Sequence, residues 1–441
     1  MGSLFEELAR RASASARREV EAYVREIPEF ARLDADPRTR AETLEYAVWL
    51  RRRTIELSPH GGELTEADLG FIASMGESRA GTGLSLESRQ RILRLHTALM
   101  LREINEATDA QRGGGADELL RMMGWFAPQG ERGIGAYCAG FATGLRRRLP
   151  YGEQVALLAR SLLAGDPVAV ELGRGMGMEV PEWWVVTVIR VPECGAAGER
   201  DLGGEVEALV KTYQVPVVWC GVEGGGGGEL IAVVPVGSAE GGGSPVSPAS
   251  PASPVPPASP VPPVPPVPPA SASLTSLSGP VPGSVPDLVS DLVRDFAGAL
   301  GRPCAAGAAT APRSDLADAL DRARRISRAA PLRRAPAWPG PHTLADVFVE
   351  LAVADVPPAD DWLHTVARRL DPGPDLLATL DAYYRHDMNR ANAAAALNVH
   401  PRTLDYRLRR VRELTGIAPA STHGVRVLSS VVTRRLSGAW N

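Results

Sequence analysis

The chain has 441 residues, a formal net charge of −4, 44% hydrophobic residues and 23% charged ones. At roughly 100–200 residues per domain, this length allows about two to four domains. The apolar fraction is that of a globular protein. The near-neutral balance excludes a surface that is basic throughout, so any nucleic-acid footprint must be local.

Two skews remain. Of the 48 basic residues only Lys211 is a lysine, and 16 of the 38 prolines fall between Ser244 and Pro286. No segment approaches the roughly 18 consecutive apolar residues of a membrane span. The stretch from Leu4 to Leu8, followed by Arg10 and Arg11, reads as an amphipathic helix without a signal-peptide core. The four cysteines, Cys138, Cys194, Cys220 and Cys304, form no C-x-x-C pair. That spacing argues against a disulfide framework or a structural zinc site. A reducing, cytoplasmic setting is expected, with no metal, no cofactor and no enzymatic residue set.

Residues 1–165 read as a helical bundle of about five to seven helices. Thr65-Glu66-Ala67-Asp68 is a capping-box-like start. Ile92, Leu93, Leu95, Leu99, Met100 and Ile104 recur at helical spacing, and His96 among them reads as a partly buried core residue. Gly113-Gly114-Gly115 separates two helices, and Arg146-Arg147-Arg148 complements the dipole of a helix C-terminus. Tyr151 to Leu163 is a further helix, which Gly165-Asp166-Pro167 should stop.

From residue 183 the period changes. Trp184 to Ile189 is a continuous apolar, β-branched run and reads as a buried strand. A helix over Leu202–Tyr213 follows, then strands over Val215–Val222 and Leu230–Val236, with the Gly224–Gly228 run as a hairpin between them. Residues 241–286 cannot make ladder hydrogen bonds, since proline lacks the donor, and read as a disordered, polyproline-biased insert. A helix from Asp287 to Leu300, a strand near Cys304–Ala308 and a helix from Ser314 or Asp315 to Arg328 complete the unit. The order is βαββ, insert, αβα: one α/β domain over 183–330, interrupted by its proline segment.

Residues 342–441 return to helix, with amphipathic stretches at Thr343–Val353, Asp360–Leu370 and Asp375–His386. The most informative segment is 389–415. Asn389 can cap a short helix rich in alanine. Asn398-Val399-His400 makes a tight turn with Val399 as an apolar plug, and Pro401 sits at a first helical position, where its missing N–H costs nothing. On the following helix Leu404, Leu408, Val411 and Leu414 fall on one side. Arg402, Tyr406, Arg409 and Arg410 fall on the other, with Asp405 at the edge. Between Arg402 and Glu413 there are five arginines and two acids, a local net charge of +3. This is a helix-turn-helix with a basic outer face. Guanidinium forks suit guanine edges and phosphates in a major groove. Arg402, Tyr406 and Arg409 are expected at bases or groove walls, and Thr403, Arg407 and Arg410 at phosphates. His400 caps its helix or meets a phosphate. Asp405 would accept from a cytosine or orient a neighbouring arginine.

These residues carry a resemblance. Leu376-Leu377-x-Thr379-Leu380-x-x-Tyr383, Asn389, Ala394-Ala395-x-Leu397, Val399-His400, Arg402-Thr403-Leu404, Tyr406-Arg407-Leu408 and Leu414-Thr415-Gly416 are similar to the C-terminal helix-turn-helix of the PucR/CdaR family of bacterial transcription regulators. The resemblance implies a multidomain α and α/β chain: an N-terminal helical sensor-like bundle, a degenerate GGDEF-like α/β domain and a C-terminal all-α DNA-binding domain. It implies double-stranded DNA as partner, an unidentified small-molecule effector, and activation more often than repression; because a single motif this short binds weakly, a homodimer or higher homo-oligomer on paired half-sites is expected. The proline insert, Pro401 and Asp405 depart from the family pattern. A diguanylate cyclase would need acidic metal ligands on the first strand and after the glycine run. Trp184 to Ile189 has none, and only Glu229 follows the glycines. Two other readings stand beside this one: a nucleotide-binding or dinucleotide-signalling protein built on the middle domain, and a stress-signalling scaffold acting through residues 1–165.

Overall fold

The computed structural model describes residues 3–109, 116–193, 202–222, 227–236, 287–334 and 340–440. The expected proline insert, Gly113-Gly114-Gly115 and Cys194 lie outside the described residues.

Eight helices come first: α1 (Leu4–Glu26), α2 (Pro28–Asp34), α3 (Pro37–Leu57), α4 (Glu66–Ala80), α5 (Leu86–Asp109), α6 (Ala116–Arg146), α7 (Tyr151–Leu163) and α8 (Val168–Met176). Local chemistry sets several starts. Ser3 with Glu6, and Thr65 with Asp68, form reciprocal capping boxes, and Asp36 caps α3 with Pro37 in its first turn. Each such cap is worth about 1 kcal/mol. Helices α4 and α6 meet backbone to backbone. A Cβ on Gly140 would stand 1.8 Å from the Ala73 carbonyl oxygen, and one on Gly76 would stand 2.2 Å from that of Tyr137. Only glycine permits that approach.

Helix α8 occupies a stretch that the sequence reads as following a stop. Pro167 sits at its N-cap position, and the buried Asp166 carboxylate accepts from the Val168 backbone N–H at 2.8 Å. The punctuating residues end one helix and start another. At the end of α6, Arg147 pairs with Glu77 and Arg148 donates to the Gly81 carbonyl, so two residues of the arginine triplet tie back to α4 and its C-terminus.

The sheet unit runs β1 (Trp183–Val191), α9 (Gly203–Tyr213), β2 (Val217–Gly221), β3 (Gly228–Pro235), α10 (Asp287–Leu300), β4 (Ala305–Pro312) and α11 (Leu316–Ala329). The strand order is β2-β3-β1-β4, antiparallel throughout, with Val188 opposite Ile231 on one side and Gly307 on the other. This is a split βαβ arrangement. Val185 and Ile189 face Leu209 of α9 and Phe296 of α10. Trp184, Val186 and Val188 share a cluster with Leu158 and Leu162 of α7 and with Ala319 and Ala323 of α11. A strand covered on both faces has no polar face to present, so β1 reads as an unbroken apolar run. The cluster on the α7 side continues through Phe141 and Trp125 to Ile72 and Leu64 in the bundle. Glu229 pairs with Arg324 at 2.9 Å, so the acid after the glycine run already has a structural partner.

Six helices complete the chain: α12 (Leu344–Ala354), α13 (Pro357–Leu370), α14 (Leu376–Arg385), α15 (Arg390–Ala396), α16 (Pro401–Thr415) and α17 (Thr422–Leu436). They share a core that includes Leu363, Val366, Leu380, Tyr383, Leu404, Val411 and Leu428. Polar bonds fasten this unit to the sheet. Arg190 at the end of β1 donates to the Ser437 carbonyl at 3.0 Å, Leu332 N–H donates to the Leu436 carbonyl at 2.9 Å, and Arg333 grips Asp381 with two bonds of 2.8 and 3.0 Å.

The architecture is mostly helical, with one small antiparallel sheet in the middle and a helical C-terminus. Among the described residues no helix is long and apolar enough to cross a membrane. No group of three or more His, Cys, Asp or Glu among them could hold a metal ion.

Candidate nucleic-acid interface

The helix-turn-helix is built by caps and a plug. Asn389 accepts from the Asn392 N–H at 3.1 Å and starts α15. Ala393 and Ala394 are buried, which lets α15 lie close to α14 and α16. The chain then turns sharply. Asn398 takes the left-handed conformation with φ 52°, a region asparagine tolerates better than most residues. The N–H groups of Asn398 and Val399 bond back to the carbonyls of Ala395 and Ala394, both at 3.0 Å. Val399 packs against the core as the plug. His400 is the N-cap of α16, its Nδ1 accepting from the Arg402 N–H at 3.2 Å, and Pro401 opens the helix. Gly416, at φ 76°, closes it.

Leu404, Leu408 and Val411 are buried under α16, as the spacing requires, while Leu414 is half-buried. The opposite face is open. Arg402, Thr403 and Arg409 are exposed, and Tyr406 keeps 61% of its surface. Arg402, Tyr406 and Arg409 lie at i, i+4 and i+7, one stripe along the outside of the helix.

The basic residues of α16 do not stand equal. The Arg407 guanidinium turns back toward α14, meeting the Asp375 carboxylate at 2.8 Å and the Thr379 hydroxyl at 3.4 Å, and is only 16% exposed. Arg410 reaches Glu413 at 3.0 Å on the helix surface. Asp405 pairs with Arg390 of α15 at 3.4 Å, so it orients a neighbouring arginine across the two helices of the motif. Three arginines of α16 have no carboxylate within ion-pair reach among the described residues: Arg402, Arg409 and Arg412. The first two carry the expectation for groove contacts. Arg412, exposed about one turn beyond Arg409, extends the positive surface although nothing in the sequence spacing marks it for a contact.

Below the motif, Tyr384 donates from its hydroxyl toward the Pro419 carbonyl at 3.1 Å and the Gly424 carbonyl at 3.3 Å, locking α14 to the start of α17. Burial pushes the Tyr384 phenol above its usual range, so the group stays a neutral donor. In the last turn of α17 Arg434 pairs with Asp360 at 2.8 Å. Together these bonds hold α16 on a rigid support with its basic stripe outward.

Comparison with known proteins meets this geometry at the same residues. Residues 376–430, from the start of α14 into α17, match the family model of the PucR C-terminal helix-turn-helix domain. Residues 13–149, from within α1 to just past the end of α6, match that of the RsbT co-antagonist protein RsbRD N-terminal domain. The chain carries both domains. No curated protein matches it. The solved structures similar to it include the regulator of polyketide synthase expression from Bifidobacterium adolescentis, at 18% identity and a TM-score of 0.23, covering 64% of this chain and 98% of that one.

Proposed function

We propose that this chain, with an RsbRD-type N-terminal domain and a PucR-type helix-turn-helix at its C-terminus, is a signal-responsive transcription regulator that binds double-stranded DNA. The reading rests on one observation above all. A capped helix within the matched helix-turn-helix turns Arg402, Tyr406 and Arg409 outward while its acids are paired with neighbours. Helix α16 enters the major groove, Arg402, Tyr406 and Arg409 meet base edges or groove walls, and Thr403 and Arg410 meet phosphates. His400 and Asn389 act mainly as caps close to the DNA backbone. The ion pair of Arg407 with Asp375 supports a positioning role for that residue. A single motif of this size binds weakly, so two copies of the chain engage paired half-sites. The helical and sheet units are read as the sensing and self-associating parts.

The test is selection of genomic DNA fragments on the full-length protein. Discrete sites are expected for the wild type. The Arg402→Ala/Arg409→Ala double variant should recover none of them while its circular dichroism stays unchanged. Recovery of the same sites by a folded double variant would overturn the assignment.

A further inference from the structure

Four arginines are buried among the described residues: Arg51, Arg79, Arg89 and Arg434. Three of them meet a carboxylate: Arg51 meets Glu19 and Glu103, Arg89 meets Asp166, and Arg434 meets Asp360. Arg79, at 5% exposure in the last turn of α4, meets none within ion-pair reach. Its guanidinium donates to the Thr43 hydroxyl and lies over the Phe30 ring, 5.6 Å from the centroid. Glu42, whose charge reaches it, is exposed and bonded to Arg38 at 2.9 Å. Burial pushes the Arg79 guanidinium below its usual range. A buried cation without a counter-ion is costly, and the fold retains it at the wall of an open space.

That space is a cavity of about 850 Å³ inside the helical bundle. Its walls are mostly apolar and include Tyr46, Ile72, Met75, Leu93, Trp125 and Phe126. Pockets for small molecules run to roughly this size and have this character, apolar walls with a few convergent polar groups. The one buried acid lining it, Glu19, is already satisfied by Arg51, by the Tyr23 hydroxyl and by His96 at 2.6 Å. Tyr137 also lines it; burial pushes its phenol up to about 12, so it remains a neutral donor at ordinary pH.

We infer that this cavity binds an amphipathic monoanion, whose apolar body fills the space between α3, α4, α5 and α6 and whose anionic head, a carboxylate or its equivalent, pairs with Arg79. This deepens the signal-responsive part of the reading above. It is tested by direct binding, with no DNA present, so its failure and the failure of the DNA-binding assignment are separately visible.

The probes are decanoate and decan-1-ol, which share an apolar chain and differ in charge, titrated calorimetrically into the full-length protein below their aggregation limits. Decanoate should bind with one site per chain and at least tenfold tighter than decan-1-ol. Arg79→Met should reduce decanoate to the affinity of the alcohol, and Arg79→Lys should keep part of the difference. Ile72→Trp, which fills the cavity from α4, should weaken both probes. Equal affinity of the two probes for the wild type, no binding of either, or an Arg79→Met protein that still prefers decanoate would each overturn the inference. The wild-type comparison decides the matter even if a variant fails to fold.

Discussion

Arg407 and Arg409 stand two residues apart on α16 and differ in partnership: Arg407 is held by Asp375. Arg409 is exposed and has no carboxylate partner among the described residues. Its replacement by alanine should change folding stability by less than about 0.5 kcal/mol, as for surface positions generally. A guanidinium reading a base edge is worth about 1–3 kcal/mol, so affinity should fall by roughly 5- to 150-fold for each motif bound. If Arg409 meets a phosphate instead, the loss is nearly independent of sequence and the slope of log affinity against log salt falls by about one. Arg407→Ala removes a bond of 2.8 Å to a carboxylate that is itself 64% exposed. Solvent screening limits that pair to about 1 kcal/mol or less. The Arg407→Ala protein should therefore melt a few degrees lower and bind DNA within about threefold of wild type once it is folded. Fluorescence anisotropy on a selected site, repeated across 50–200 mM salt, together with thermal melts of both variants, measures all of this. If Arg407→Ala weakens binding as much as Arg409→Ala and leaves the melting temperature alone, ion-pair partnership does not identify the DNA-facing arginines, and the interface must be redrawn.

Other perturbations probe the scaffold. Leu404 is fully buried beneath the basic stripe, so Leu404→Ala should cost about 2–5 kcal/mol in a urea titration and abolish DNA binding by unfolding the motif. Gly140→Ala drives a Cβ into the Ala73 carbonyl; the bundle should lose about 1–3 kcal/mol or more by the same titration, and unchanged stability would mean that α4 and α6 are not in backbone contact. For Glu19, burial raises the carboxyl pKa, but His96 and Arg51 outweigh it and bring the group from 4.5 to about 2. A carboxyl lowered in the folded state stabilises the protein above its unfolded pKa and loses that contribution as pH falls through the folded value. The difference in urea midpoint between wild type and Glu19→Gln should be largest near pH 6 and narrow steadily below pH 4.5. A gap independent of pH between 6 and 3 would remove the ion-pair network as its cause.

What could be read from the sequence follows from how local each cause is. The caps at Thr65 and Asn389 and the proline at the start of α16 act within three residues, so they mark helix starts in the sequence and in the structure alike. The double burial of β1 is legible because a strand without a polar face leaves an unbroken apolar run. The outward stripe of α16 follows from helical period alone. The fate of Arg407 does not, because its partner Asp375 lies 32 residues away, at the cap before another helix. Asp166 reads as part of a stop, and its burial against Arg89, 77 residues distant, is a tertiary fact. Arg79 looks like any arginine in the last turn of a helix, where it would complement the dipole. Its isolation in the bundle is set by what α2, α3 and α6 place around it, and no spacing in the chain records that.

The two ends of the molecule are joined to the sheet by different means, and this bears on how such proteins are assembled. The bundle and the sheet share one continuous apolar cluster through α7, so removing the bundle would strip the inner face from Trp184, Val186 and Val188. The C-terminal unit has its own core and meets the sheet through a small apolar contact and a handful of polar bonds around Arg190 and Arg333. The C-terminal unit can therefore be detached from the sheet with its own core intact, whereas the helical bundle and the sheet share a core and cannot be separated without exposing it.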